Sequence, residues 1–264
     1  MPGELAMRLK EFVPEPAPAQ INISTNELDD ESPNQSDSES DRATIVEMEH
    51  GAQRDLKALL RLIREGKVRV GDRTGFPTAV SMKVIDNVLS GGDFYSSMAM
   101  YEEDEDQVEP IRPFAWPLLL QAAKLAVKDG SRLKLTKAGE KALTLPAHET
   151  LCLIWKEWNK SSAFDELRRI DVIKGQQGKG RVTLTSVSSR REAISRALRN
   201  CPVDKWIGVD EFFRFMRASD YRFEVSRDPW ALYIVDSHYG SLGYEGYHDW
   251  EILQGRYVLC LLFE

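Results

Sequence analysis

Basic side chains concentrate in one stretch of a chain that is acidic overall. The 264 residues carry a formal net charge of −7, yet residues 168–199 are rich in arginine and lysine. Glycines 175, 178 and 180 would let this segment follow a polymer backbone. Because cationic side chains neutralise phosphates, the pattern predicts sequence-independent contact with nucleic acid. The candidate contacts here are Arg168, Arg169, Lys174, Lys179, Arg181, Arg190 and Arg191.

The same charges allow a second interpretation. They could form a solvated helix face whose cations are paired with acids of the same region, namely Asp165, Glu166, Asp171 and Glu192. A further group of candidate phosphate contacts surrounds the turn Asp129-Gly130, and its members are Lys128, Arg132 and Lys134. Three charges on a hairpin are also common on any protein surface. Both interpretations stay open at this point.

Catalytic and metal-binding motifs are not evident. The histidines at 50, 148, 238 and 248 are scattered, and none has a cysteine or second histidine at zinc spacing. The segment GQQGKG (175–180) lacks the spacing of a phosphate-binding loop, since Gly180 follows Lys179. We therefore predict a protein that is not an enzyme, with no cofactor and no metal site. The acidic run EEDED (102–106) leaves an accessory metal-dependent nuclease as an alternative.

The elements that would position these residues follow a repeated order. The first helix is predicted to begin near Arg42, and within residues 54–70 it runs into a short strand. Helices follow at 78–90 and 113–125, and then two strands around a charged turn at 126–136. Helix, strand, helix, helix, strand, turn, strand is the winged-helix order. A second copy begins at 189 with a helix, the strand KWIGV, the helix DEFFRFMRAS and the helix DWEILQGRYVLCLLFE, and no second wing follows.

The predicted fold class is α+β and mostly helical, with two winged-helix units in tandem. Residues 1–43 are predicted to be a disordered acidic and proline-rich tail. The first winged helix would span 44–145 with an acidic insert at 91–112. A helical connector with a basic glycine-rich loop would fill 146–188. The second unit would span 189–264, with an aromatic insert at 221–247.

Both third helices are mostly apolar, so neither predicts base reading in the major groove. Surfaces of this kind indicate contact with protein. We therefore expect the apolar end at 257–263 to be covered by a partner or a second copy of the chain. The candidate partner-interface residues, on the third helices and the aromatic insert, are Trp116, Leu119, Trp230, Tyr233, Tyr239, Tyr244, Trp250 and Tyr257.

Several segments, among them LLRLIREGKVRV, IRPFAWPLLLQAAKLA and WEILQGRYVLCLLFE, give the chain a family resemblance. It resembles large bacterial proteins whose winged-helix region is similar to the one that accompanies XPB-like helicases. No helicase motor motif is present. The resemblance implies a setting in DNA processing or genome defence, with protein partners that could include a helicase.

The sequence thus predicts a non-enzymatic tandem winged-helix adaptor that docks on protein partners and makes sequence-independent DNA backbone contacts. A dimeric winged-helix transcription regulator is the main alternative. No apolar run approaches the ~20 residues that span a bilayer, and no secretory signal is evident, so we expect a cytoplasmic protein without membrane contact. Homo-oligomerisation stays open.

Overall fold

The computed structural model describes residues 19–23, 48–91, 110–169, 173–174, 184–226, 233–236, 240–241 and 254–263. These form an α+β protein that is mostly helical, as the sequence predicts. They divide into two compact units. The smaller contains 19–23 and 193–223, and the larger contains the other described residues. Residues 189–264, predicted as one unit, are thus shared between the two.

Helix α1 (Glu49–Arg64) forms the centre of the larger unit. Leu56, Leu59, Leu60 and Ile63 recur at helical spacing and are almost completely buried. The helix ends just before Gly66, whose φ of +70° is the left-handed conformation that suits glycine at a helix C-terminus. Of the predicted start near Arg42, residues 42–47 lie outside the described part, and the helix begins at Glu49.

A narrow sheet follows α1. Strands β1 (Ala126–Asp129) and β2 (Arg132–Leu135) form an antiparallel hairpin. The segment 67–70 lies along β2, where Arg69 bridges Arg132 and the Leu133 N–H donates to the Val68 carbonyl at 3.0 Å. Helix α2 (Ala79–Asp86) lies between the segment 67–70 and β1 in the sequence. Its N-cap residue is Thr78, whose hydroxyl accepts the Ser81 N–H.

Helix α3 (Arg112–Ala122) is apolar and enclosed, because every residue from Arg112 to Leu118 is buried. At its start Arg112 donates to the Asp55 carboxylate at 2.5 Å, which ties α3 to α1. After the hairpin, helix α4 (Lys137–Ala142) packs tightly on the chain. A Cβ on Gly139 would lie 2.0 Å from the Leu125 carbonyl oxygen, so only glycine fits there.

Helix α5 (Ala147–Lys160) and a 3-10 turn (Glu166–Arg168) complete one side of the larger unit. Strands β3 (Ile173–Lys174), β4 (Tyr233–Asp236) and β5 (Gly240–Ser241) form an antiparallel sheet in that order. Helix α6 (Val187–Leu198) lies in the larger unit through Glu192.

The last helix, α8 (Arg256–Phe263), belongs to the larger unit and packs within it. Its Cys260 shares a buried cluster with Ile111, and Leu261 packs on the cluster that contains Phe114 and Trp158. Tyr257 and Val258 are completely buried. The expectation that a partner or second copy covers this end is therefore wrong for Tyr257, Val258 and Cys260, which the same chain buries. It stays a prediction for Leu259 and residues 261–263, which are half-buried.

The smaller unit contains helix α7 (Val209–Ala218), whose Phe212, Phe213, Phe215 and Met216 are buried. On its other face Glu211 accepts hydrogen bonds from Arg214 and from the Asn22 backbone N–H, both at 2.6 Å. The strand predicted at 205–209 does not form, since residues 205–208 have no ladder partner and Val209 begins α7.

Candidate nucleic-acid interface and the buried arginine cluster

Four exposed cations line up on the outer side of the sheet formed by 67–70, β2 and β1. Alternation along the strands sends Val68, Val70, Leu133 and Leu135 into the core. The residues between them point the other way and are exposed. We call this set the basic sheet face, and it consists of Lys67, Arg69, Arg132 and Lys134.

The strand register keeps these cations adjacent. Arg69 and Arg132 are direct cross-strand partners, and Lys134 follows Arg132 on the same side. Two acids lie close by. Asp129 pairs in register with Arg132, and Glu65 accepts from Lys67 at 2.7 Å, which lowers the pKa of the Glu65 carboxyl. The surface keeps a positive excess, as contact with a polyanion backbone requires.

The predicted hairpin residues take two positions. Arg132 and Lys134 belong to the basic sheet face. Lys128 is also exposed, but it is in register with the buried Leu133 and donates to the Asp72 carbonyl. Sequence reasoning missed Lys67 and Arg69. The signal was present in the alternation Lys67-Val68-Arg69-Val70, which is typical of a strand with one buried and one solvated side.

Arg190 and Arg191 are not available to phosphates. Both side chains are 0% exposed. Arg190 Nη2 donates to Asp165 Oδ1 at 2.6 Å, and Arg191 Nη2 donates to Glu166 Oε1 at 2.6 Å. Their assignment as nucleic-acid contacts is therefore corrected. The alternative interpretation named the right acids, Asp165 and Glu166, but it placed the pairs on a solvated helix face, whereas both arginines are buried.

Glu166 is the centre of this buried arginine cluster. Its Oε1 also accepts from Arg191 Nε and from Trp158 Nε1, each at 3.0 Å. Its Oε2 accepts from the Tyr257 hydroxyl at 3.1 Å. Burial, and next the charge of Glu166, raise the pKa of the Tyr257 phenol well above its usual value. The cluster connects α5, the 3-10 turn, α6 and α8, which makes it structural.

Of the other predicted basic residues, the structure describes only some. Arg168 is exposed and stays a candidate contact. Arg169 is half-buried, with its guanidinium 4.0 Å above the centre of the Phe114 ring and Nη2 3.4 Å from the Pro110 carbonyl oxygen. Lys174 lies in β3, where only its backbone is described. Lys179 and Arg181 lie outside the described residues.

The predicted partner interface is corrected where the structure describes it. Trp116 and Tyr257 are buried, and Leu119 is half-buried in the same unit. The two third helices therefore contribute to the core of the larger unit, and Trp116 and Tyr257 are not available to a partner. Tyr233 lies in β4, where only its backbone is described. The remaining predicted interface residues, Trp230, Tyr239, Tyr244 and Trp250, lie outside the described residues.

Across the described ranges no group of three or more His, Cys, Asp or Glu side chains could hold a metal ion. The helices of those ranges include none with the length and apolarity that a membrane crossing requires. The chain matches no family model, no curated protein and no solved structure.

Proposed function

We propose that this chain is a non-enzymatic winged-helix adaptor that contacts a nucleic-acid backbone through the basic sheet face. The order of α1, the segment 67–70, α2, α3 and the β1–β2 hairpin supports a winged-helix unit. In that comparison the hairpin is the wing. The observation that carries the proposal is the alignment of Lys67, Arg69, Arg132 and Lys134 on one solvated side of a sheet.

The contact is proposed to ignore sequence. A winged helix that reads bases places its third helix in the major groove. Here that helix is α3, and its residues from Arg112 to Leu118 are buried in the protein. Cations on a sheet can neutralise phosphates without reading base edges. This burial disfavours a sequence-specific transcription regulator. For the nuclease alternative, the acidic run 102–106 lies outside the described residues.

The partner is proposed to be another component of a DNA-processing or genome-defence assembly, as the resemblance implies. We propose that exposed apolar side chains outside the third helices contribute to meeting it. Two candidates precede α7: Val203 is 84% exposed and Trp206 is 54% exposed. Tryptophan is enriched among the residues that dominate protein–protein binding.

Fluorescence anisotropy with labelled DNA tests the nucleic-acid contact. The intact chain is compared with a face variant in which Lys67, Arg69, Arg132 and Lys134 are changed to Ala. A control variant loses four other exposed cations, Arg54, Lys156, Lys160 and Lys205, so its net charge is the same. We expect the intact chain and the control to bind two unrelated duplexes with similar affinity.

The face variant is expected to bind at least ~10-fold more weakly than the control variant at the same salt. Equal loss in both variants would mean that only the net charge matters. Such a result would refute the assignment of the contact to this face. A preference for one duplex above ~10-fold would contradict sequence independence.

A further inference from the structure

One side of helix α7 in the smaller unit is in contact with a short segment from the N-terminal region of the chain. Residues 19–23 lie there without forming a helix or strand, and Glu211 and Arg214 of α7 form hydrogen bonds with them. We propose that this side of α7 binds an extended peptide segment of a partner protein, and that residues 19–23 occupy the site in the free chain. The site is separate from the basic sheet face, which belongs to the larger unit.

Both hydrogen bonds involve the backbone of the bound segment. Glu211 Oε1 accepts from the Asn22 backbone N–H at 2.6 Å, and Arg214 Nη2 donates to the Gln20 carbonyl oxygen at 2.7 Å. In an extended chain the backbone groups of residues i and i+2 point to the same side, so one surface can bind both. Every peptide offers these groups unless proline replaces the N–H donor. The two contacts therefore select an extended backbone, whichever protein supplies it.

The Glu211–Arg214 pair is ordered independently of the segment. Arg214 donates to Glu211 through Nε and through Nη2, each at 2.6 Å, so guanidinium and carboxylate lie side by side. These hydrogen bonds, and next the one from the Asn22 N–H, lower the pKa of Glu211 to about 2. The carboxylate is thus a charged acceptor at neutral pH. An acceptor and a donor fixed next to each other need little reorganisation when a peptide backbone binds.

Burial alternates along the bound segment and indicates which side chains the site accepts. Ala19 and Ile21 are half-buried, whereas Gln20 and Asn22 are exposed. Alternation of this kind is typical of an extended chain that lies on a surface. The expected partner segment is therefore extended, with small or apolar side chains at two alternate positions and no proline at the position of the N–H donor.

The contacts of residues 19–23 are exchangeable. The side chains of Glu211 and Arg214 are 18% and 44% exposed, so water competes for their hydrogen bonds. The loss of conformational entropy in five ordered residues also opposes docking. A similar segment of another protein gains the same contacts and can replace residues 19–23. The apparent affinity for that segment is lowered in proportion to the fraction of chains whose site is open.

NMR titration of the ¹⁵N-labelled chain with an unlabelled, end-capped peptide of residues 19–23, AQINI, tests the site. The amide signals of Glu211 and Arg214 report binding. We expect the Asn22→Pro chain, which has no N–H at residue 22, to bind the peptide at least ~10-fold more tightly than the intact chain. Asn22→Ala keeps the N–H and should bind the peptide as the intact chain does. A peptide with an N-methyl group on the asparagine should bind to none of the three chains.

Variants of α7 separate the site from its surroundings. In the Asn22→Pro chain, adding Arg214→Ala should weaken peptide binding at least ~5-fold, because the donor to the carbonyl oxygen is lost. Adding Arg217→Ala on the same helix should leave the affinity unchanged. In the intact chain, the peptide should shift the Asn22 amide signal, because it displaces the segment that contains it. This last measurement needs no substitution.

Three results would overturn the proposal. One is equal affinity of the intact and Asn22→Pro chains for the peptide, because residues 19–23 would then not occupy its site. Another is equal binding of the N-methylated peptide, because the backbone N–H would then play no part. The third is a dimer of the intact chain that Asn22→Pro abolishes, because the site would then belong to a second copy and not to a partner protein.

Discussion

Replacing Glu166 with Ala should be among the most destabilising single changes in the larger unit. Arg191 is 0% exposed, and the substitution removes the acceptor for its Nε group and one of the two acceptors for Nη2. The guanidinium keeps the carbonyls of Trp158, Ser161 and Phe164 as acceptors but loses its counter-charge. Breaking a buried ion pair by removing one member costs about 3–5 kcal/mol. The expected loss is therefore about 4 kcal/mol of unfolding free energy.

Urea denaturation followed by far-UV circular dichroism measures this loss. The control removes both charges: Glu166→Leu with Arg191→Met should recover the part of the loss that comes from the unpaired charge, while the buried donors of Trp158 and Tyr257 stay without their acceptor. The single variants Glu166→Leu and Arg191→Met form a cycle with the double variant, and the expected coupling energy is at least ~1 kcal/mol. A Glu166→Ala loss below ~1 kcal/mol, or additive effects in the cycle, would refute the reasoning.

Three further predictions follow from other residues. The raised pKa of Tyr257 means that the folded protein holds this proton more tightly, so stability is full below pH ~10 and falls above it. Tyr257→Phe should flatten that alkaline decline in urea midpoints. Gly139→Ala should destabilise by at least ~2 kcal/mol, because its Cβ would meet the Leu125 carbonyl, and a thermal melt measures it. Arg214→Ala should raise the pKa of Glu211 from about 2, as carbon-detected NMR titration would show, while Arg217→Ala leaves it low.

Local patterns predicted the elements of the larger unit that contain α1, α2, α3 and the hairpin. Their signals are short in range: helical spacing in 56–63, a glycine after the helix, and alternation around a tight turn. The same alternation in 67–70 marked one edge of the basic sheet face. The face could not be assembled from the sequence, because cations on neighbouring strands, such as Arg69 and Arg132, are more than sixty residues apart in the chain.

Long-range packing accounts for the errors. Arg190 and Arg191 look like a solvated basic pair, and their burial depends on Asp165 and Glu166, which lie 25 residues earlier. Helix α8 was predicted as an uncovered surface because its contact with Ile111 joins positions about 150 residues apart. The KWIGV strand has β-forming residues but no neighbouring strand to pair with among the described residues, and tertiary context decides strand formation.

The slope of binding against salt tests the central claim most directly. The association constant of the intact chain for a mixed-sequence duplex is measured across a salt series, together with the face and control variants. Each phosphate contact adds about 0.9 to the slope of log K against log salt. We predict that the face variant loses roughly 2–4 units of slope while the control variant keeps the slope of the intact chain. An unchanged slope in the face variant would contradict the account.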